Sequence, residues 1–169
     1  MIFIGIDPDV EKSGVAYWCK NPKVIEVQKY DLSGLFEHLE FLNYTLKENL
    51  EVRLEAGWLN KIPNYHKGKN RNNPKVDTNS MDIDTYLTFV KNNKSVKKSV
   101  TYDESIALDV GRNHEVGRQI EKYLIKNKIN YKLIKPTKSK MKPEIFFAMT
   151  GIKTKDQEKI DAGALVYGL

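Results

Sequence analysis

Met1-Ile2-Phe3-Ile4-Gly5-Ile6-Asp7 is the stretch on which the fold turns. It is an almost unbroken apolar run rich in Ile, the pattern of a strand buried on both faces, and it stops at an acid followed by Pro8. A carboxylate therefore stands at the carboxyl end of a central strand, the place where open α/β sheets bind their ligands. Asp7-Pro8-Asp9 is also good turn chemistry in its own right. What tips the reading toward chemistry is that further acids with the same kind of placement follow downstream.

Working outward, Asp9 to Ser13 is a polar turn, and Gly14-Val15-Ala16-Tyr17-Trp18 resumes the apolar pattern at hairpin distance, which predicts an antiparallel second strand. Val24 to Tyr30 reads as a third strand of the same meander. Ser33 is placed to cap a helix in which Leu35, Phe36, Leu39, Leu42 and Leu46 share one stripe, ending near Asn49. Glu51-Val52-Arg53-Leu54-Glu55 is a short fourth strand that again finishes on an acid. A long amphipathic helix is expected from about Tyr102 to Lys126, with Ile106, Val110, Val116, Ile120 and Leu124 on one side. Tyr131 to Ile134 is the fifth strand, Pro143 opens a helix that Thr150-Gly151 closes, and Asp156 to Val166 forms the last helix. Strands, helix, strand, helix, strand and helices make a mixed α/β plan.

At 169 residues the chain is expected to be a single domain, 1–169, able to bury a core without disulfides. Its one cysteine, Cys19, excludes an internal disulfide and suits a reducing interior. Neither a secretory signal nor a membrane span of roughly 18 apolar residues is visible, so the expected location is cytoplasmic. The formal charge of +6 favours a polyanionic partner. The positive residues are concentrated. From Leu59 to Val76 there is no acid, while Lys61, His66, Lys67, Lys69, Arg71 and Lys75 alternate with Asn, Gly and Pro, a composition that predicts a basic, mobile insert over about 59–100. A second acid-free run lies between Glu121 and Glu144 and contains Lys135, Lys138, Lys140 and Lys142.

Asp7 and Glu55 end strands, and Glu158 and Asp161 project from one face of the last helix. Convergent carboxylates repel one another and need a counter-charge, which hard divalent cations supply through oxygen ligands. Two such ions roughly 4 Å apart activate a water and stabilise the leaving oxygen of a phosphodiester. Each acid alone is equally consistent with a solvated helix face or a turn. A carboxylate cluster repels phosphate unless lysines surround it, so the acids and the basic runs explain one another. His66 and His114 lack paired spacing and read as ordinary surface residues.

The same residues resemble RuvC-type Holliday junction resolvases of the RNase H-like superfamily. The resemblance rests on Ile4-Gly5-Ile6-Asp7-Pro8 with Ser13-Gly14 shortly after, Leu54-Glu55 ending the fourth strand, and Glu158-x-x-Asp161-Ala162 opening the last helix. It implies a five-stranded mixed sheet flanked by helices, an antiparallel meander of three strands followed by parallel ones. It also implies a homodimer that cuts branched DNA, a four-way junction, with two Mg²⁺ ions per active site, Mn²⁺ substituting. Under this resemblance Asp7, Glu55 and Asp161 match the catalytic, metal-binding acids, and Glu158 falls where the family has Asp or His. Trp58 matches an aromatic that wedges against junction bases; a Trp packed on the sheet edge or at a dimer contact is the plainer alternative. Lys135, Lys138, Lys140 and Lys142 would hold the DNA backbone, joined by Lys61, Lys67, Lys69 and Arg71 of the insert. The function expected is therefore a Mg-dependent endodeoxyribonuclease. The alternatives are a nuclease of the same fold acting on flaps or RNA–DNA hybrids, and a non-catalytic branched-DNA-binding protein; an actin-like ATPase ranks last, for want of a later Gly-rich nucleotide segment.

Overall fold

A computed structural model of the chain describes residues 1–60, 94–137 and 139–169, with the side chains of 94–107 excepted. The basic run Lys61 to Val76 and Lys138 lie outside the described residues. Five strands form one sheet: β1 (Ile2–Asp7), β2 (Ser13–Cys19), β3 (Val24–Tyr30), β4 (Leu50–Glu55) and β5 (Tyr131–Ile134). Their order across the sheet is β3-β2-β1-β4-β5. β1–β2 and β2–β3 are antiparallel, while β1–β4 and β4–β5 are parallel. An antiparallel three-strand meander continued by parallel strands is the RNase H-like arrangement, and it puts β1 at the centre of the sheet.

The helices are α1 (Leu32–Leu46), α2 (Lys94–Lys126), α3 (Pro143–Thr150) and α4 (Gln157–Ala164). α1 is capped by Asp31, not Ser33: the Asp31 carboxylate accepts from the Gly34 N–H at 2.8 Å and from the Ser33 hydroxyl at 3.2 Å. β3 runs to Tyr30, so the only residue left between strand and helix is an acid, and it takes the cap. The helix ends at Leu46 and its continuation tightens into a 3₁₀ turn, Lys47–Asn49. α2 begins at Lys94, earlier than the expected start near Tyr102. From Lys94 to Val110 the sequence contains neither Gly nor Pro, so nothing local stops the helix there.

The chain falls into two compact units, Met1–Pro63 with Gly111–Leu169, and Asn64–Val110. The insert expected at about 59–100 lies mostly outside the described residues. In the first unit the strand residues alternate between two cores. Ile4, Ile6, Val15, Val52 and Leu54 pack on one face with Leu35 and Leu39 of α1 and Ile120 and Leu124 of α2. On the opposite face Phe3, Ala16, Trp18, Ile25 and Val27 pack with Ala162 and Val166 at the carboxyl-terminal end of the chain. β1 is thus covered on both sides, as its unbroken apolar run requires.

α4 packs on β1, β2 and β3. Its close approach depends on two glycines in the sheet. A Cβ on Gly5 would fall 2.1 Å from the carbonyl oxygen of Ala162, and one on Gly14 would fall 2.1 Å from that of Glu158. Any side chain at either position would push the helix, and the acids it carries, away from β1.

Candidate active site

Sheet register assembles the site. Asp7 pairs with Gly14, and Gly14 with Lys29. Ile6 pairs with Leu54, so the next step of the same parallel register sets Asp7 abreast of Glu55. Odd-numbered residues of β1 and β4 face α4, which brings Asp7 and Glu55 to the side from which Asp161 descends. The turn between β1 and β2 supports this corner. The Ser13 hydroxyl, buried, accepts from the Asp9 N–H at 3.2 Å, and Asn113 of α2 accepts from the Val10 N–H at 3.1 Å and donates to Asp9 at 3.4 Å.

The electrostatics single out Asp7. Burial, followed by the negative charges of Glu55 and Asp161, pushes its carboxyl up from 3.8 to about 8; Lys140 opposes the shift, and Glu158 adds least. Glu55 is also raised, by burial and then by Asp161, again against Lys140. The three acids therefore feel one another in a partly dry site with too little positive charge to offset them. The positive charge present is Lys140, whose ammonium lies 2.9 Å from Asp161 Oδ2. Burial works against that ammonium, but the hydrogen bond and charge of Asp161, with Asp7 and Glu55 behind it, hold its pKa above the ordinary lysine value.

Glu158 is drawn elsewhere. Lys29 of β3 pairs with it at 3.3 Å and with Asp156, the α4 N-cap, at 3.5 Å. The four expected acids are thus divided: Asp7, Glu55 and Asp161 interact closely, while Glu158 is held by Lys29 of β3. The donor chemistry, oxygen only and carboxylate only, fits a hard cation such as Mg²⁺. As the side chains stand, no group of three or more His, Cys, Asp or Glu among the described residues closes into a metal-binding arrangement.

Of the expected DNA-contacting residues, Lys135 and Lys142 are exposed, and Lys140 points into the carboxylates. Lys61, Lys67, Lys69, Arg71 and Lys138 lie outside the described residues. Trp58, in a 3₁₀ turn just past Glu55, is half-buried and meets the ring of His114 edge-on at 6.3 Å. The space beside Gly117 is taken by the same indole and by Pro8, so Trp58 wedges the loop after β1 against α2. Three residues with positioning roles are ones the sequence reading did not single out. Gln157 donates to Asp161 Oδ1 at 2.6 Å, Lys29 fixes Glu158, and Asn113 ties down the loop after Asp7. Lys29 alone had a legible signal, since pairing β1, β2 and β3 puts it in the row of Gly14 and Asp7.

The described residues contain no helix long and apolar enough to cross a membrane. Fold and site together define an RNase H-like α/β chain with an acidic corner at the carboxyl ends of its two central parallel strands. No family model matches the sequence, and no curated protein matches it either. Among solved structures the chain is similar to T. thermophilus RuvC in complex with Holliday junction substrate, at 12% identity and a TM-score of 0.46, over 98% of this chain and 90% of that one. At that degree of likeness the fold rests on the strand order described above.

Proposed function

We propose that this chain is a metal-dependent endonuclease that resolves Holliday junctions or related branched DNA, acting as a homodimer. The observation that carries the reading is Asp7: a carboxyl at the end of the central strand, pushed to about 8 by burial and by Glu55 and Asp161. Holding three mutually repelling carboxylates in one corner costs stability, and such strain is characteristic of sites that receive a cation or a proton. Asp7, Glu55 and Asp161 would hold the metal, with Glu158 available should Lys29 release it. Two Mg²⁺ ions bound there, or Mn²⁺ in their place, would activate the attacking water and offset charge on the leaving oxygen.

The chain's own residues do the rest. Gln157 keeps Asp161 turned toward β1, and Gly5 and Gly14 let α4 seat close enough for the three acids to meet. Lys135 and Lys142, exposed near the same corner in sequence, would grip phosphates on either side of the cut, with Lys138 and the basic insert extending that grip. The substrate class rests on the resemblance of the motifs to junction resolvases, joined to the net charge of +6.

The test is cleavage of a labelled four-way junction, a flap, a duplex and an RNA–DNA hybrid, with Mg²⁺ or with EDTA. The junction should be nicked in Mg²⁺ alone, leaving 5′-phosphate and 3′-hydroxyl ends. Asp7→Asn should abolish cutting, because the amide cannot take up the charge that holds a metal, while junction binding stays intact or strengthens. Preference for the flap or hybrid would reassign the substrate, and metal-dependent cutting of none of the four would leave a branched-DNA-binding protein.

A further inference from the structure

We propose that Lys140 is a built-in, displaceable cation: its ammonium neutralises Asp161 until a divalent ion enters, and the entering ion exchanges it out of the carboxylate corner. This inference rests on the reading of Asp7, Glu55 and Asp161 as a metal site. The geometry of the pair points to exchange. The Asp161 side chain is 13% exposed and that of Lys140 is 65% exposed, so the lysine reaches in from the surface while the acid stays put. Asp161 is further anchored through its other oxygen by Gln157, which itself belongs to α4. Lys140 lies in no helix or strand, between β5 and α3, so its stem can swing without disturbing the fold.

Other ion pairs on this face are built differently. Lys29, which holds Glu158 and Asp156, is on β3, Arg53, which holds Glu51, is on β4, and Lys132, which also holds Glu51 and is itself 56% exposed, is on β5. Those cations are parts of the scaffold. Lys140 differs in lying outside any strand or helix, and its largely exposed stem leaves the ammonium free to withdraw when a stronger competitor for Asp161 arrives. A single ammonium also offsets one charge where three carboxylates interact, whereas a divalent ion offsets two and binds the oxygens directly. Once released, Lys140 stands at the mouth of the site, where its charge meets phosphate.

Mn²⁺ binding to the full chain without DNA, by calorimetry, tests this on the wild type, Lys140→Met and Lys126→Met, the last an exposed lysine at the end of α2. Removing a competing charge beside one ligand should tighten Mn²⁺ binding by about fivefold or more in Lys140→Met, with Lys126→Met within about twofold of wild type. Intact binding that is equal or weaker in Lys140→Met, or that tightens alike in both variants, would overturn the exchange while leaving the metal site standing. Undetectable binding in all three would overturn the exchange and the metal site together. Should Lys140→Met fail to fold, the side-chain ammonium resonance of Lys140 in the wild type serves instead. It should move toward that of a free lysine on Mg²⁺ addition, and a stationary Lys140 signal while Asp161 shifts would sink the proposal.

Discussion

Glu51 and Glu55 stand on the same strand and the same face of the sheet, yet their carboxyls are driven in opposite directions. At Glu51, which is 7% exposed, burial pushes the carboxyl up, but hydrogen bonds and charge from Lys132 at 2.9 Å and Arg53 at 3.2 Å outweigh it and hold the pKa below the usual range. At Glu55 burial acts the same way, Asp161 adds to it, and Lys140 offsets only part. One end of β4 is a finished ion cluster built from strand residues. The other gathers acids faster than it supplies cations. Burial alone therefore does not mark a functional carboxylate; a deficit of counter-charge does.

The comparison is broken most directly by exchanging each glutamate for its amide. Glu55→Gln should lower junction cleavage on the order of 10³-fold, the scale set by losing a group that stabilises transition-state charge. Glu51→Gln should leave the cleavage rate within about twofold, because its charge is spent within the sheet. Equal losses in single-turnover assays would erase the distinction between the two ends of the strand.

Stability should show the opposite ranking. Glu51→Gln leaves Lys132 and Arg53 without their anion beside a buried site and should cost about 1–2 kcal/mol, moderated because Lys132 can turn to water. Glu55→Gln removes repulsion and should be neutral or stabilising by up to about 1 kcal/mol. Urea denaturation of both variants in EDTA checks the two signs.

These two ends of β4 were not equally legible in the sequence. Ile2 to Asp7 and Leu54-Glu55 announce themselves because apolar runs that stop at acids have few structural readings, and the topology follows from the order of the strands. The division of the four acids did not follow, because it depends on Lys29 and Lys140 reaching across from other elements. Lys140 sits in a run of lysines that composition cannot tell apart, and only its contact with Asp161 distinguishes it from Lys135 and Lys142. The Asp31 cap was missed for a local reason, as the strand consumed every residue up to Tyr30 and left the acid as the only spacer. Trp58 offered two readings, and in the free chain its ring is occupied by Gly117, Pro8 and His114.

The smallest expected effect sharpens the contrast between lysines inside and outside the cluster. Lys135→Ala/Lys142→Ala should weaken junction binding and flatten the slope of log affinity against log salt by roughly 0.9 per lost phosphate contact. Thermal stability should be unchanged, since both side chains are exposed. An unaltered slope would reduce this run to a solvated surface.

The central claim, that β4 and β1 end in a carboxylate corner short of positive charge, is tested most directly by a ¹³C carboxyl titration of Asp7 with and without Mg²⁺. Its ordinary value is 3.8 and its folded value is pushed up to about 8. The folded chain therefore binds this proton more tightly than the unfolded one, so the stability it contributes is complete below about pH 4 and is lost as pH rises through about 8. The apparent midpoint should lie near 8 without metal and fall well below that when Mg²⁺ is added, since the ion replaces the proton as counter-charge. A midpoint near 4 that ignores Mg²⁺ would contradict it.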